Sequence, residues 1–113
     1  MSAITTHVLD LSSGRPASGL TVTLERRGAE GKWTKLAEKC TDADGRVKDL
    51  LGSTPLSAGV WRLTFATGDY FVGRQVKTFL PEACITFEVF DAAQHHHVPL
   101  LLSPFGFSTY RGS

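Results

Sequence analysis

The chain has 113 residues and a formal net charge of +1, which suits one compact domain spanning residues 1–113 and offers no bulk field for nucleic acid or an anionic membrane. Hydrophobic residues make up 42% and charged residues 20%, the composition of an ordinary globular domain rather than a disordered one. No apolar run is long enough to cross a bilayer, and the opening MSAITTHVLD lacks the basic and apolar regions of a secretory signal.

In chain order, Ile4 to Leu9 reads as a strand. Ile4, Thr6 and Val8 face inward, and His7 shares the other face with Thr5 and Leu9. Ser12-Ser13-Gly14 turns the chain. Leu20 to Leu24 then alternates Leu20, Val22 and Leu24 with two threonines, and Arg26-Arg27 reads as a solvated strand end. Asp42-Ala43-Asp44-Gly45-Arg46 is a tight turn in which Gly45 supplies the positive φ. After the turn at Ser57-Ala58-Gly59, Trp61, Leu63 and Phe65 share one face of the next strand. A short helix is predicted over 69–76, with Asp69 as its cap and Gly73 as a weak point. Ile85, Phe87 and Val89 define a further strand, with Thr86 and Glu88 opposite. Short alternating strands between recurrent turns predict an all-β sandwich or barrel. Cys40 and Cys84 form no CxxC pattern and read as two half-buried thiols in a reducing compartment.

Three of the four histidines are consecutive, at 95, 96 and 97. The apolar residues Val98, Leu100 and Leu102 fix the register of this segment. They put His96 on the core face and present His95 and His97 together on the other, with Pro99 and Leu101. Pro99 cannot donate to a ladder, so its N side should face away from a central neighbour. Two adjacent imidazoles suit proton transfer or metal binding. A zinc site would need His7 as third ligand beside His95 and His97, and no carboxylate or cysteine is spaced to complete it. A Ser-His-Asp triad finds no G-x-S-x-G elbow. The chain closes on a polar and aromatic segment that continues the strand pattern of Phe105 and Phe107.

These pieces together resemble one family over essentially the whole chain. They are His7-Val8-Leu9-Asp10 with Gly14-x-Pro16-Ala17, Thr41-Asp42-x-Asp44-Gly45-Arg46, Thr67-Gly68-Asp69-Tyr70-Phe71 and Phe79-x-Pro81-Glu82. They end with His95-x-His97-Val98-Pro99-Leu100-Leu101-Leu102-Ser103-Pro104 and Tyr110-Arg111-Gly112-Ser113. The sequence is similar to the 5-hydroxyisourate hydrolases, transthyretin-related proteins of purine catabolism. The resemblance implies a transthyretin-like two-sheet sandwich of about eight strands with one short helix. It also implies a homotetramer with active sites at the dimer–dimer interface. It carries a catalytic role onto His7, Arg46, His97 and Ser113, with Tyr110, Arg111 and Gly112 lining a site for 5-hydroxyisourate, and it requires no metal and no cofactor. His97 is the choice of general base, Arg46 stabilises the oxyanion, His7 orients the substrate or shuttles the proton, and the Ser113 hydroxyl and carboxylate orient an imidazole or the water. His96 and Phe107 stand where the family commonly has Tyr. The implied compartment is the cytoplasm, or the peroxisome in a eukaryote. The alternatives are a non-catalytic carrier of a small aromatic ligand on the same fold and an adhesive β-sandwich module. Because a sandwich this small uses its interior for packing, the polar histidines and Arg46 must work on an outer face, which a second subunit closes.

Overall fold

A computed structural model describes residues 3–113. The strand-like stretches fold as strands β1 (Ile4–Asp10), β2 (Arg15–Pro16), β3 (Thr21–Arg27), β4 (Trp33–Cys40), β5 (Arg46–Val47), β6 (Gly59–Phe65), β7 (Ala83–Val89), β8 (His96–Ser103) and β9 (Gly106–Thr109). A single turn of 3₁₀ helix covers Ala29–Gly31, and helix α1 covers Thr67–Val72. The count among the described residues is nine rather than about eight, because β2 and β5 are two-residue strands that share one edge of β1.

Two sheets result. One has the order β2-β1-β8-β9, with β5 also on β1; the other has the order β4-β3-β6-β7. β1 and β8 pair in parallel over seven positions, from Ile4↔His96 to Asp10↔Leu102. The predicted alternation holds along β1, where Ile4, Thr6, Val8 and Asp10 are buried and Thr5, His7 and Leu9 are not. Between the sheets lie Trp61, Phe65, Phe71, Ile4, Leu24, Leu63, Leu100 and Leu102, all essentially without solvent contact. Each such side chain contributes on the order of 1.5–3 kcal/mol by leaving water. Buried Thr6 is satisfied by donating to the Val98 carbonyl at 2.5 Å, and buried Asp10 accepts from Ser12 and from the Tyr70 hydroxyl.

Three local expectations differ from the structure. The helix begins at Thr67 and ends at Val72, and Asp69 lies inside its first turn. No side chain caps it, because the N-cap position is Ala66; Thr67 donates to the Leu80 carbonyl. Asp69 still opposes the positive helix N-terminus from within. The cysteines are exposed rather than half-buried. In β7 the core face is taken by Ala83, Ile85 and Val89, so Cys84 turns outward beside Thr64 at 3.5 Å, and Cys40 does the same beside Thr21 at 3.6 Å. Arg26 is not merely solvated. Its guanidinium lies 5.5 Å from the Trp61 ring centroid and donates to Ser57 Oγ and the Ala58 carbonyl.

The Asp42–Arg46 turn delivers β5 to β1. Asp42 Oδ1 accepts from the backbone N–H of Asp44 and of Arg46, both at 2.9 Å. Val8 N–H donates to the Gly45 carbonyl at 2.8 Å. Gly45 has φ +74°, and a Cβ there would lie 2.4 Å from the Val8 carbonyl oxygen. Gly45→Ala combines a left-handed backbone with a clash against main chain that cannot move aside. It should destabilise the fold by about 2–4 kcal/mol, measured as a lowered urea midpoint at unchanged slope.

Candidate active site

The outer face of the β1–β8 sheet carries the polar cluster. Parallel register sets Thr5 beside His97 and His7 beside Pro99. Antiparallel register sets Arg46 beside His7, and continuing it by one residue brings Lys48 opposite Thr5. A cleft of about 350 Å³ opens here, lined by Thr5, Thr6, Arg46, Lys48, His95, His97 and Ser113. Three of the four residues expected to be catalytic thus meet: Arg46, His97 and Ser113. His7 is outside the lining but next to Arg46 and within electrostatic reach of His97.

The end of the chain reaches His97 through an interruption in pairing. β8 and β9 pair from Leu100↔Thr109 to Ser103↔Gly106, and the same register resumes at His97↔Gly112. Between them Pro99 faces Tyr110 without an N–H to offer, so the ladder opens there. The expected avoidance by Pro99 of a paired neighbour therefore takes the form of a local gap. Gly112 N–H then donates to the His97 carbonyl at 2.8 Å. A Cβ on Gly112 would lie 2.5 Å from His97 Cδ2, so only glycine lets the tail lie flat against the imidazole.

Tyr110 and Arg111 lie elsewhere than in this cleft. They border a second cavity of about 260 Å³ between the sheets, with Ile85, Phe87, His96 and Val98. The Arg111 guanidinium donates to Gln94 Oε1 at 3.1 Å and to the His95 carbonyl at 3.2 Å, which ties the tail to the loop before β8. Phe107 sits at the far end of the sheet, with Leu11 and Leu101. His96 is on the core side as the alternation requires, 4% exposed. Its Nδ1 is the one buried side-chain nitrogen or oxygen without a partner among the described residues.

Thr5, His95 and Lys48 join the cleft although the motifs assigned them no role. The signal was in the alternation: Thr5 shares the His7 face, and Lys48 follows Arg46 by two. Thr5 Oγ1 lies 2.9 Å from His95 Nε2 and 2.8 Å from His97 Nδ1. The two imidazole rings are 6.3 Å apart and inclined by 22°. Burial holds the His97 pKa below the ordinary 6.5, and the positive potential of His95, Arg46 and His7 acts in the same direction. A neutral imidazole beside a guanidinium can take a proton from water and face the anion that forms. Among the described residues no three His, Cys, Asp or Glu side chains are placed to hold one metal ion.

The family model for the HIUase/Transthyretin family matches residues 4–112. The chain belongs to the HIUase/Transthyretin family. Over its full length it is 48% identical to the 5-hydroxyisourate hydrolase of Caulobacter vibrioides, covering all of that protein. Among solved structures, the Klebsiella pneumoniae 5-hydroxyisourate hydrolase superposes with a TM-score of 0.87 at 41% identity, covering 99% of this chain and 100% of that one. Sea bream transthyretin in complex with thyroxine superposes with a TM-score of 0.92 at 30% identity, covering 97% and 94%. The transthyretin-like two-sheet sandwich with one short helix is therefore the fold of this family. No helix among the described residues is long and apolar enough to cross a membrane.

Two expected outcomes follow from this geometry. Gly112→Ala pushes the His97 ring out of place, and any activity that depends on that ring should fall at least about tenfold with little change in Tm. The second outcome concerns acid. Burial, chiefly, and then the Arg111 charge hold the His96 pKa below 6.5, and His97 is shifted the same way. The unfolded chain then binds more protons than the folded one below about pH 7, so stability is lost as pH falls through 6.5 and beyond. Thermal melts from pH 7.5 to 5.5 should show a falling Tm, with a shallower fall in His96→Phe because that variant keeps only the His97 contribution.

Proposed function

We propose that this chain is a 5-hydroxyisourate hydrolase. It would open the lactam of the six-membered ring to give 2-oxo-4-hydroxy-4-carboxy-5-ureidoimidazoline. One observation carries the reading: a half-buried histidine with a lowered pKa shares a cleft with Arg46 and Ser113, in a chain matched end to end by a protein of that name. His97 is the general base that takes a proton from water. Attack on the ring carbonyl builds an oxyanion, which the Arg46 guanidinium stabilises, its planar fork suiting a flat polar heterocycle. His7 orients the substrate or shuttles the proton, and the Ser113 hydroxyl orients the water. Gly112 contributes by close contact with His97; Tyr110 and Arg111 contribute at one remove, by holding the tail. No metal or cofactor enters these steps.

The cleft is open to solvent on a sheet face, and Arg46 is exposed. Leu11, 58% exposed, and Phe107, 40% exposed, lie at the other end of the same sheet. These features support a homotetramer in which a second dimer closes the face and the sites lie at the dimer–dimer interface. Two exposed free thiols, Cys40 and Cys84, fit a reducing compartment, the cytoplasm. Likeness to thyroxine-bound transthyretin favours the rival reading, a carrier without catalysis.

The test is to generate 5-hydroxyisourate with urate oxidase and follow its ultraviolet decay. The protein should accelerate decay well beyond the spontaneous rate. His97→Asn and Arg46→Ala should each lower kcat/KM by roughly 10²-fold or more with Tm nearly unchanged, and prolonged chelation should leave the rate intact. A decay no faster than the spontaneous one, together with saturable binding of a small aromatic ligand, would establish the carrier instead.

A further inference from the structure

The hydroxyl of Thr5 stands between two imidazoles. It is 2.8 Å from His97 Nδ1 and 2.9 Å from His95 Nε2. A hydroxyl has one proton. It can donate to one ring and must accept from the other, so the tautomers of the two histidines are tied together. If His97 presents a lone pair at Nε2, its Nδ1 carries the proton and donates to Thr5 Oγ1. Thr5 then donates to His95 Nε2, and His95 carries its own proton on Nδ1. No other group among the described residues hydrogen-bonds either remaining ring nitrogen, so nothing else fixes these tautomers.

We infer that Thr5 and His95 form a proton relay behind His97, selecting its Nδ1–H tautomer and sharing the charge it acquires. This rests on the reading of His97 as general base. When His97 Nε2 takes a proton from water, its Nδ1 proton moves to Thr5 Oγ1, and the Thr5 proton moves to His95 Nε2. The positive charge is then on His95, which is exposed. The water oxygen has formed a bond to the ring carbonyl carbon. On collapse, the C–N bond breaks and His97 Nε2 gives the same proton to the leaving nitrogen. The relay then runs back: His95 Nε2–H to Thr5, and Thr5 to His97 Nδ1. One water is consumed, and the relay ends as it began.

The surroundings give the shift a direction. The charged and titratable groups that face His97 are His95 on its own segment, His7 on β1, Arg46 on β5 and Lys48 just after it, with terminal Ser113 and its carboxylate lining the same cleft. Two permanent cations line the cleft, so an imidazolium at His97 is opposed where it forms. Moving the charge to His95 carries it toward water. Thr5 reaches both rings because β1 and β8 pair in parallel with Thr5 opposite His97. Two residues apart on one strand face, His95 and His97 present their nitrogens to the same oxygen. Thr5 and His95 are positioning residues: they act through His97.

The experiment pairs spectroscopy with kinetics. Nitrogen-15 imidazole shifts of the wild-type chain above pH 7.5 should show His97 as the Nδ1–H tautomer. In Thr5→Val they should show the ordinary Nε2–H form, while Thr5→Ser keeps the wild-type pattern. In the 5-hydroxyisourate assay, Thr5→Val and His95→Phe should each lower kcat by roughly 10- to 100-fold and leave KM within about twofold. The double variant should be no worse than either single one, since the two act as a unit. Thr5→Ser should retain kcat within about threefold. An Nε2–H tautomer of His97 in the wild-type chain overturns the relay, as do multiplicative losses in the double variant. A chain that shows the tautomer pattern but no acceleration of decay keeps the coupled pair and removes the hydrolase reading, so the two failures are distinct.

Discussion

Parallel pairing of β1 with β8 joins segments separated by 92 positions in sequence, and the polar face depends on it. β1 brings Thr5 and His7; β8 brings His97. β5 reaches the same face only because it pairs with the free edge of β1. The tail reaches it only because β8 has a second edge, where Gly112 bridges to His97. Shifting β1 against β8 by one residue would send Thr5 and His7 into the core and Thr6 and Val8 into solvent. The burial of Ile4, Val8, Leu100 and Leu102 opposes any such slip, at about 1.5–3 kcal/mol for each side chain exposed. The hydrophobic core thus holds the register, and the register positions the polar cluster.

The faces of these strands were legible in the sequence, and their neighbours were not. Alternation alone put His7 and His97 outside and His96 inside, because the apolar residues of each strand leave one choice of face. Which strands lie side by side is set by long-range packing that no local pattern encodes, so the sequence does not set Thr5 between His95 and His97 although it shares the His7 face. The same limit explains Tyr110 and Arg111. They read as one unit with Gly112 and Ser113, but Tyr110 and Arg111 border the inter-sheet cavity while Ser113 lines the His97 cleft and Gly112 lies against the His97 ring. The cysteines show the converse. Composition favoured partial burial, yet in β7 Ala83, Ile85 and Val89 occupy the inner face, and strand alternation turns Cys84 outward. The helix was legible as an element but its start was not, since the N-cap is Ala66, which has no side-chain oxygen to mark it.

Burial acts on neighbouring histidines with two different results. In His97 it disfavours the imidazolium in a group that keeps one nitrogen toward a cleft, which leaves a neutral base available below its ordinary range. In His96 the same desolvation falls on a ring locked in the core with an unpartnered nitrogen. An unmade hydrogen bond of that kind costs about 1–3 kcal/mol, and a tyrosine at this position would bring no ring nitrogen to strand. His96 therefore carries a stability cost next to the catalytic candidate without sharing its function. Leu100 and Leu102 keep the strand in place despite it, since the register they impose is what puts residue 96 inside.

Arg46 is exposed on this face, as are Lys48, His95 and Ser113. Asp42 supports its backbone from the turn, but its guanidinium is exposed, and water weakens any charge it directs at a neighbour. At an effective dielectric near that of water, a pair of unit charges 4 Å apart is worth about 1 kcal/mol; at an effective dielectric near 20 it is worth about 4 kcal/mol. Excluding water from the face supplies the difference directly, and the core beneath that face, packed with Ile4, Val8, Leu100 and Leu102, gives Arg46 no place to withdraw from water. A second copy laid across the face does, which is why the proposed tetramer belongs to the chemistry of Arg46 and His97 as well as to the packing of Leu11 and Phe107.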